Sequence, residues 1–269
     1  ENGGQEVMRF EIKNKTAYYG SGSGASENGQ PIVFIHGAGF DHTVWVLPAR
    51  YFARKGFRVV ALDLPGHGRS EGPALTSVEA MSDWIVEVSE TLALQDLVVV
   101  GHSMGSLVAY CLAAQKPDLV NKMVLLGTSS PMPVTDLLLD AARDNHHAAI
   151  EMANSWSHSA GGSLGSAENP GVSNLNSDER LLERAKAGVY FADFKACNDY
   201  DSARLGPIET PSLVLMGDQD KMTPARAGIA VSELLPDCKT RIISDCGHSM
   251  LSEKPNEVLD ALSDFIEVS

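Results

Sequence analysis

The sequence has no run of about 18 apolar residues, no cluster of Lys and Arg, and no C-x-x-C pair. The first absence argues against a transmembrane helix. The second goes with 21 basic against 35 acidic residues, a formal net charge of −14. A surface of that sign disfavours nucleic acid and anionic membrane as partners. The third removes the usual spacing of a zinc or dithiol redox centre. Cys111, Cys197, Cys238 and Cys246 are scattered. If the residues between Cys238 and Cys246 form an extended strand, the two thiols lie about 26 Å apart, beyond disulfide reach. Reduced thiols and a cytoplasmic location are expected. Residues 1–7 hold no apolar signal-peptide core. The chain opens on Glu1, so a processed start and a start at Met8 both stay open. Gly20–Gly24 is not followed by the Lys of a phosphate loop and reads as a flexible hairpin connection. No internal repeat is present. His146 and His147 are adjacent, so on a helix they point apart and make a poor metal pair. Neither a metal nor an organic cofactor is expected.

What the sequence does contain is alternation. With 269 residues, 43% of them hydrophobic, it can bury a large core. Strand-like runs at Arg9–Lys13 and Thr16–Tyr19 are followed by a Gly/Ser-rich loop over Gly20–Gly29. Strands at Pro31–His36, Phe57–Leu62, Leu97–Val100 and Lys122–Leu126 then alternate with helices at Thr43–Lys55, Ser77–Leu92 and Met104–Gln115. This pattern predicts a mostly parallel sheet with helices on both faces, an α/β fold. It breaks at Pro131 and resumes after Pro211, with strands at Ser212–Met216 and Lys239–Ser244 and helices at Ala225–Leu234 and Asn256–Ile266. Between them, Val134–Ser155 has helical spacing, Ser157–Asn176 reads as a loop, and Asp178–Tyr190 reads as a helix capped by Ser177. The organisation expected is one catalytic domain, residues 1–130 and 207–269, with a helical cap over 131–206 inserted after the sixth strand.

The chemistry concentrates at Gly101-His102-Ser103-Met104-Gly105. The G-x-S-x-G pattern alone arises by chance in about one such chain in five. Here it ends a β-branched run and opens a helix, which is the setting of a nucleophile elbow. Such a turn holds the serine in an unusual backbone conformation and needs small neighbours, which Gly101 and Gly105 supply. Serine needs a base, and the base an orienting group. In an open α/β sheet these gather at the carboxyl ends of strands. Ser103 follows one strand, Asp218 and Asp220 a second, and His248 a third, in the chain order Ser, Asp, His. The amide of Met104, at a helix start, is placed to stabilise a developing oxyanion.

With these segments go His36-Gly37-Ala38-Gly39, Asp63-Leu64-Pro65-Gly66-His67-Gly68-Arg69-Ser70, Gly217-Asp218-Gln219-Asp220-Lys221-Met222-Thr223-Pro224 and Gly247-His248. Together they resemble the α/β-hydrolase superfamily, from about Pro31 to Ile266 and most weakly in the cap. The run Asp193-Phe194-Lys195-Ala196-Cys197 resembles the cap exit of small bacterial members, with no chemical role attached. The resemblance implies an α/β-hydrolase fold with Ser103 as nucleophile, His248 as base and Asp220, three residues after Gly217, as the acid. Asp218 and the more distant Asp136 are its rivals. It implies the Ala38 amide as second oxyanion donor, with Gly39 as the alternative. Gly39, Phe40, His102, Trp156 and Met250 are candidate substrate-binding residues. Phe40, Trp45, Met104, Trp156 and Met250 suit an apolar pocket, with core packing as the competing reading. His102 either lines the site or supports it. His36, His67 and Asp63 are expected to hold turns, and His42 and His158 to be surface or cap residues. Serine at the elbow argues against superfamily chemistry that uses a carboxylate nucleophile. A small-molecule ester substrate follows, with carbon–carbon hydrolysis of ring-cleavage products, lactone hydrolysis and perhydrolysis as alternatives. A non-catalytic ligand receptor is the least favoured reading. A monomer or homodimer is expected.

Overall fold

The computed structural model describes residues 6–23, 26–144, 147–164, 172–204 and 206–268. An eight-stranded sheet forms its centre: β1 (Val7–Ile12), β2 (Lys15–Gly20), β3 (Pro31–Ile35), β4 (Arg58–Leu62), β5 (Leu97–His102), β6 (Val120–Leu126), β7 (Ser212–Gly217) and β8 (Cys238–Ile243). The spatial order is β1-β2-β4-β3-β5-β6-β7-β8. β1 and β2 form a hairpin, β2 runs antiparallel to β4, and the remaining pairs are parallel. Lys13 and Asn14 turn the hairpin with φ of 47° and 62°. Positive φ at both central residues matches the right-handed twist of the flanking strands.

The helices of the sheet domain are α1 (Val46–Arg54), α2 (Val78–Thr91) and α3 (Met104–Gln115). The β-branched strands explain how they are held. Successive side chains point to opposite faces. Val33, Ile35, Val99, Leu125 and Val214 therefore meet α2 and α3 on one side. Ile32, Phe34, Val98, Val124 and Leu213 meet Trp45 and Phe52 on the other. Ser77 caps α2, its Oγ accepting the Ala80 N–H at 3.1 Å. The single helix expected over Thr43–Lys55 is a 3₁₀ turn, His42–Trp45, followed by α1. Pro48 fits the first turn of α1 but would clash with a longer α-helix behind it.

Between β6 and β7 the chain leaves the sheet, and its described residues form the α-helices α4 (Asp136–Arg143), α5 (His147–Ser157), α6 (Ala160–Ser163), α7 (Asn174–Leu182) and α8 (Val189–Asp199). They form a separate apolar cluster around Leu138, Ile150, Leu182, Tyr190 and Phe194. The helix expected over Val134–Ser155 is thus two helices. The loop expected over Ser157–Asn176 contains α6 and the start of α7, and its residues 165–171 lie outside the described ones. Ser173, not Ser177, caps α7, accepting the Asn176 N–H at 3.3 Å. Asp178–Tyr190 is not one helix: α7 ends at Leu182 with Glu183 as its C-cap, residues 183–187 turn, and Gly188 at φ +82° caps α8. After β7 come α9 (Ala225–Ser232), α10 (Met250–Glu253) and α11 (Pro255–Ile266). No helix among the described residues is long and apolar enough to cross a membrane. All four cysteines are unpaired.

Candidate active site

Ser103 sits between β5 and α3 at φ 53°, ψ −119°. A non-glycine residue there is strained and persists only where its surroundings hold it. They do so tightly. A Cβ on Gly101 would lie 2.0 Å from the Gly105 carbonyl oxygen, and one on Gly105 would lie 2.2 Å from that of Ile35. The Ser103 N–H donates to Leu126 C=O at 2.9 Å, and its own C=O accepts from Ser106 Oγ at 2.6 Å.

His248 follows β8 and meets the serine: Nε2 lies 2.8 Å from Ser103 Oγ. Its Nδ1 lies 2.7 Å from Asp220 Oδ2, and Asp220 follows β7. The carboxylate is itself fixed. Oδ1 accepts the N–H groups of Met222 (2.8 Å) and Thr223 (2.7 Å), and Oδ2 accepts Thr223 Oγ1–H (2.8 Å). Burial works to raise the Asp220 pKa. The charge and hydrogen bond of His248, with the bonds from Thr223, outweigh it and hold the carboxyl below its ordinary value. Asp218 lies elsewhere, its Oδ1 accepting the Cys246 N–H at 3.1 Å and tying the β7 and β8 loops together. Asp136 is exposed in the first turn of α4.

His102 does both things expected of it as alternatives. It lines the cleft over Ser103, and its Nε2–H donates to the His248 carbonyl at 2.8 Å. Burial, then the neighbouring His248, pushes its pKa down to about 3, so it is a neutral support. Among the described residues the amides of Ala38 and Met104 donate to no protein acceptor. The Gly39 amide is occupied, donating to Asp193 Oδ2 at 2.8 Å. This separates Ala38 from its alternative.

The cleft is narrow, about 30 Å³, and is walled by Ala38, Phe40, His102 and Ser103 from the sheet domain and by Ala153, Leu182, Tyr190 and Phe194 from the helical segment. It shares Phe40, His102 and Ser249 with an adjoining hollow of about 200 Å³. A larger hollow of about 360 Å³ lies beside β1, β2 and α2, lined by Lys13, Trp84 and Glu87, and contains none of the groups just described.

Three expected binding residues are not in the cleft. Met250 is fully buried and packs into the core on the α1 face, as does Trp45. Trp156 is half-buried against the helical cluster. On α5 the cleft-facing residues are Ala153, Asn154 and Ser157. At about 100° per residue, Trp156 points roughly 110° from the centre of that face. Gly39 borders a neighbouring hollow with His67 and Arg184 rather than the cleft. Tyr190 lines the cleft without any motif to announce it, and Phe194 and Met222 line it from segments singled out for other reasons.

Other histidines are more buried than expected. His42 is not a surface residue: its Nδ1 lies 2.7 Å from Asp63 Oδ1 in the core. Asp63 also accepts the backbone N–H groups of His42 and Arg69, which holds the turn. His158 is a fully buried residue of the helical segment. Its pKa is lowered by burial and raised more by Asp178, for a net rise. His36 accepts the Leu64 N–H at 3.2 Å, and burial followed by His67 pushes its pKa down to about 4. Glu253, which carries no sequence motif, accepts the Gly247 N–H at 2.6 Å next to His248.

Among the described residues, two groups of side chains have ligating atoms close enough to share a cation: Asp41, His42 and Asp63, and His147, Glu179 and Glu183. In the first, Asp63 Oδ1 already takes two bonds from His42. The second lies at the surface, between the start of α5 and the C-terminal end of α7. His146 lies outside the described residues.

A strained serine at a strand–helix turn, a histidine on its hydroxyl and a buried carboxylate on that histidine can activate a hydroxyl for acyl transfer. A family model described as the alpha/beta hydrolase fold matches residues 30–255. The chain belongs to the α/β-hydrolase family. Among α/β hydrolases and other relatives, a protein from Acinetobacter baylyi named (E)-2-((N-methylformamido)methylene)succinate hydrolase is 27% identical over 268 residues, 95% of this chain and 96% of its own. A pimeloyl-[acyl-carrier protein] methyl ester esterase from Aromatoleum aromaticum is 30% identical over 262 residues, 89% of this chain and 99% of its own. The enol-lactonase from Burkholderia xenovorans LB400 superposes with a TM-score of 0.86 at 21% identity, covering 97% of this chain and all of its own, which shows the shared α/β-hydrolase fold.

Proposed function

We propose that this α/β hydrolase cleaves small carboxylic esters through an acyl-enzyme. The observation that carries the reading is the hydrogen-bonded chain Asp220–His248–Ser103, with contacts of 2.7 and 2.8 Å, built on a strained elbow. Ser103 Oγ attacks the ester carbonyl carbon while His248 Nε2 takes its proton. The carbonyl oxygen becomes an oxyanion held by the Ala38 and Met104 amides. The carbon–oxygen bond to the alcohol then breaks, and His248 returns the proton to the leaving oxygen. Water, deprotonated by His248, releases the acid and restores Ser103. Asp220 holds His248 in the tautomer with the proton on Nδ1 and stabilises the imidazolium. The relative from A. aromaticum, named an ester esterase, supports the choice of bond.

A second reading keeps the same residues and changes the bond to a carbon–carbon bond of a ring-cleavage product or to a lactone. It is favoured by a relative from Paraburkholderia phymatum named 2-hydroxy-6-oxononadienedioate/2-hydroxy-6-oxononatrienedioate hydrolase, 27% identical over 255 residues. The test is a substrate screen of p-nitrophenyl esters of increasing chain length beside a lactone and a ring-cleavage dienoate, with Ser103→Ala as control. Short esters should turn over fastest, and the variant should be inactive while keeping its fold. Turnover of the dienoate alone would replace ester hydrolysis by the second reading. Full activity in Ser103→Ala would remove the nucleophile.

A further inference from the structure

Asp193 lies on α8, ninety residues from the elbow in sequence, yet its fully buried carboxylate reaches the loop after β3. One oxygen, Oδ2, does all the bonding: it takes the Gly39 N–H at 2.8 Å and His67 Nε2 at 2.7 Å. The other, Oδ1, is buried without a partner. His67 is anchored in turn, with Nδ1 3.1 Å from the Pro65 carbonyl and its ring 4.7 Å from that of His36, the residue that leads into the loop. We propose that Asp193 is a positioning residue for the oxyanion hole: by holding the Gly39 amide it aims the neighbouring Ala38 amide into the cleft. The inference rests on the serine-hydrolase reading above.

Three observations carry it. The loop is otherwise lightly tied. Its one backbone bond among the described residues is Phe40 N–H to Gly37 C=O at 3.2 Å; that carbonyl, on the peptide that carries the Ala38 N–H, also meets His36 Nδ1 at 2.8 Å, and the His36 ring lies against His67, which Asp193 holds. Gly39 is at φ +73°, and a Cβ there would lie 2.6 Å from the Tyr190 ring, so the backbone rests directly on α8. The Gly39 N–H belongs to the peptide unit that follows Ala38, and fixing it fixes the Ala38 ψ angle. Finally, a fully buried carboxylate is an expensive way to hold two loops together. A charge-assisted acceptor is roughly twice as strong as a neutral one, which matters where an amide has to keep its aim while charge develops beside it. The same bond makes the helical segment part of the catalytic geometry, because α8 cannot swing away without releasing Gly39.

The experiment compares wild type with Asp193→Leu and Asp193→Asn, measuring kcat and KM for a short p-nitrophenyl ester and Ki for a short-chain trifluoromethyl ketone. Ser103 Oγ adds to the ketone carbon and its proton passes to His248, leaving an oxyanion that reports on the hole directly. Asp193→Leu should lower kcat by about 100-fold, the scale of one lost oxyanion donor, and weaken the ketone in parallel, with KM within about threefold. Asp193→Asn keeps the size and one carbonyl acceptor, so it serves where the Leu variant fails to fold. It should lose about fivefold in kcat and in ketone affinity together. A folded variant of either kind with a lower Tm but unchanged kcat and ketone Ki would overturn the inference, as would a rise in KM alone. A wild type that neither turns over an ester nor is labelled at Ser103 by a phosphonate would overturn the serine-hydrolase reading and this inference with it. Active wild type with unaffected variants would overturn this inference only.

Discussion

The carboxylate of Glu253 accepts both the backbone N–H and the hydroxyl of Ser159, each at 2.7 Å. Its second oxygen takes the Gly247 N–H, so one buried side chain joins the helical segment to the loop that presents His248. Removing it leaves three donors unpaired in a closed site, a cost of about 1–3 kcal/mol for each fully buried group. Glu253→Ala should therefore lower the unfolding free energy by about 3 kcal/mol or more, measured by urea denaturation, and Glu253→Gln by less. A loss in the Ala variant no larger than that of an exposed control such as Glu90→Ala would show that the contact does not stabilise the fold.

The elbow stores strain that glycine would release. Ser103 at φ 53°, ψ −119° occupies a region that L-residues avoid. Ser103→Gly should be inactive yet more stable than Ser103→Ala by about 1 kcal/mol. Thermal unfolding of the two variants side by side is the check, and a less stable Gly variant would count against strain.

Asp220 and Asp218 differ by two positions and point to different partners. Asp220→Asn leaves the shape of the site but cannot stabilise the imidazolium, so kcat should fall by about 10⁴-fold. Asp218→Asn removes only an acceptor for the Cys246 amide and should cost less than about tenfold. Steady-state kinetics on one ester decides, and the reverse order would exchange their roles.

His102 links acidity to stability. Burial, with His248 nearby, pushes its pKa down to about 3, against about 6.5 in an unfolded chain. Because the folded value is the lower one, its contribution is present in full above pH 6.5 and is lost as the pH falls toward 3. His36, lowered to about 4, acts in the same direction. His67 and His158 are shifted upward and oppose it. His102→Gln keeps a donor for the His248 carbonyl and removes the titration, which isolates the term. From pH 7.5 to pH 5 the wild type should lose about 2 kcal/mol more unfolding free energy than the variant. Parallel urea-denaturation curves at the two pH values would show that His102 does not carry it.

Much of the sheet was legible because its strands are long β-branched runs. Val98, Val99 and Val100 read as a buried strand whatever surrounds them, and β5 begins one residue before them. The cap was harder. Leu182 and Tyr190 fit one helical period, but a turn over residues 183–188 divides them between α7 and α8, and apolar spacing is blind to such a break. Met250 and Trp156 illustrate the other limit. Both are large apolar residues near a site, and only the rotation of a helix decides whether such a side chain faces a cleft or a core.

The sequence alone determined the chemistry on offer: a serine flanked by glycines at a strand–helix junction, then an aspartate and a histidine at later strand ends, in an order set by the winding of the sheet. These are local patterns and strand positions, and a linear chain carries them. The tertiary structure decided the rest. It chose Asp220 over Asp218 as the partner of His248, left the Ala38 amide free where Gly39 is bound, and brought Asp193 and Glu253 from distant helices onto the loops of the site. Such choices depend on which groups meet after the chain has closed on itself, at separations of up to 154 residues for Gly39 and Asp193. Distances of that kind are set by packing and are written in no single stretch of sequence.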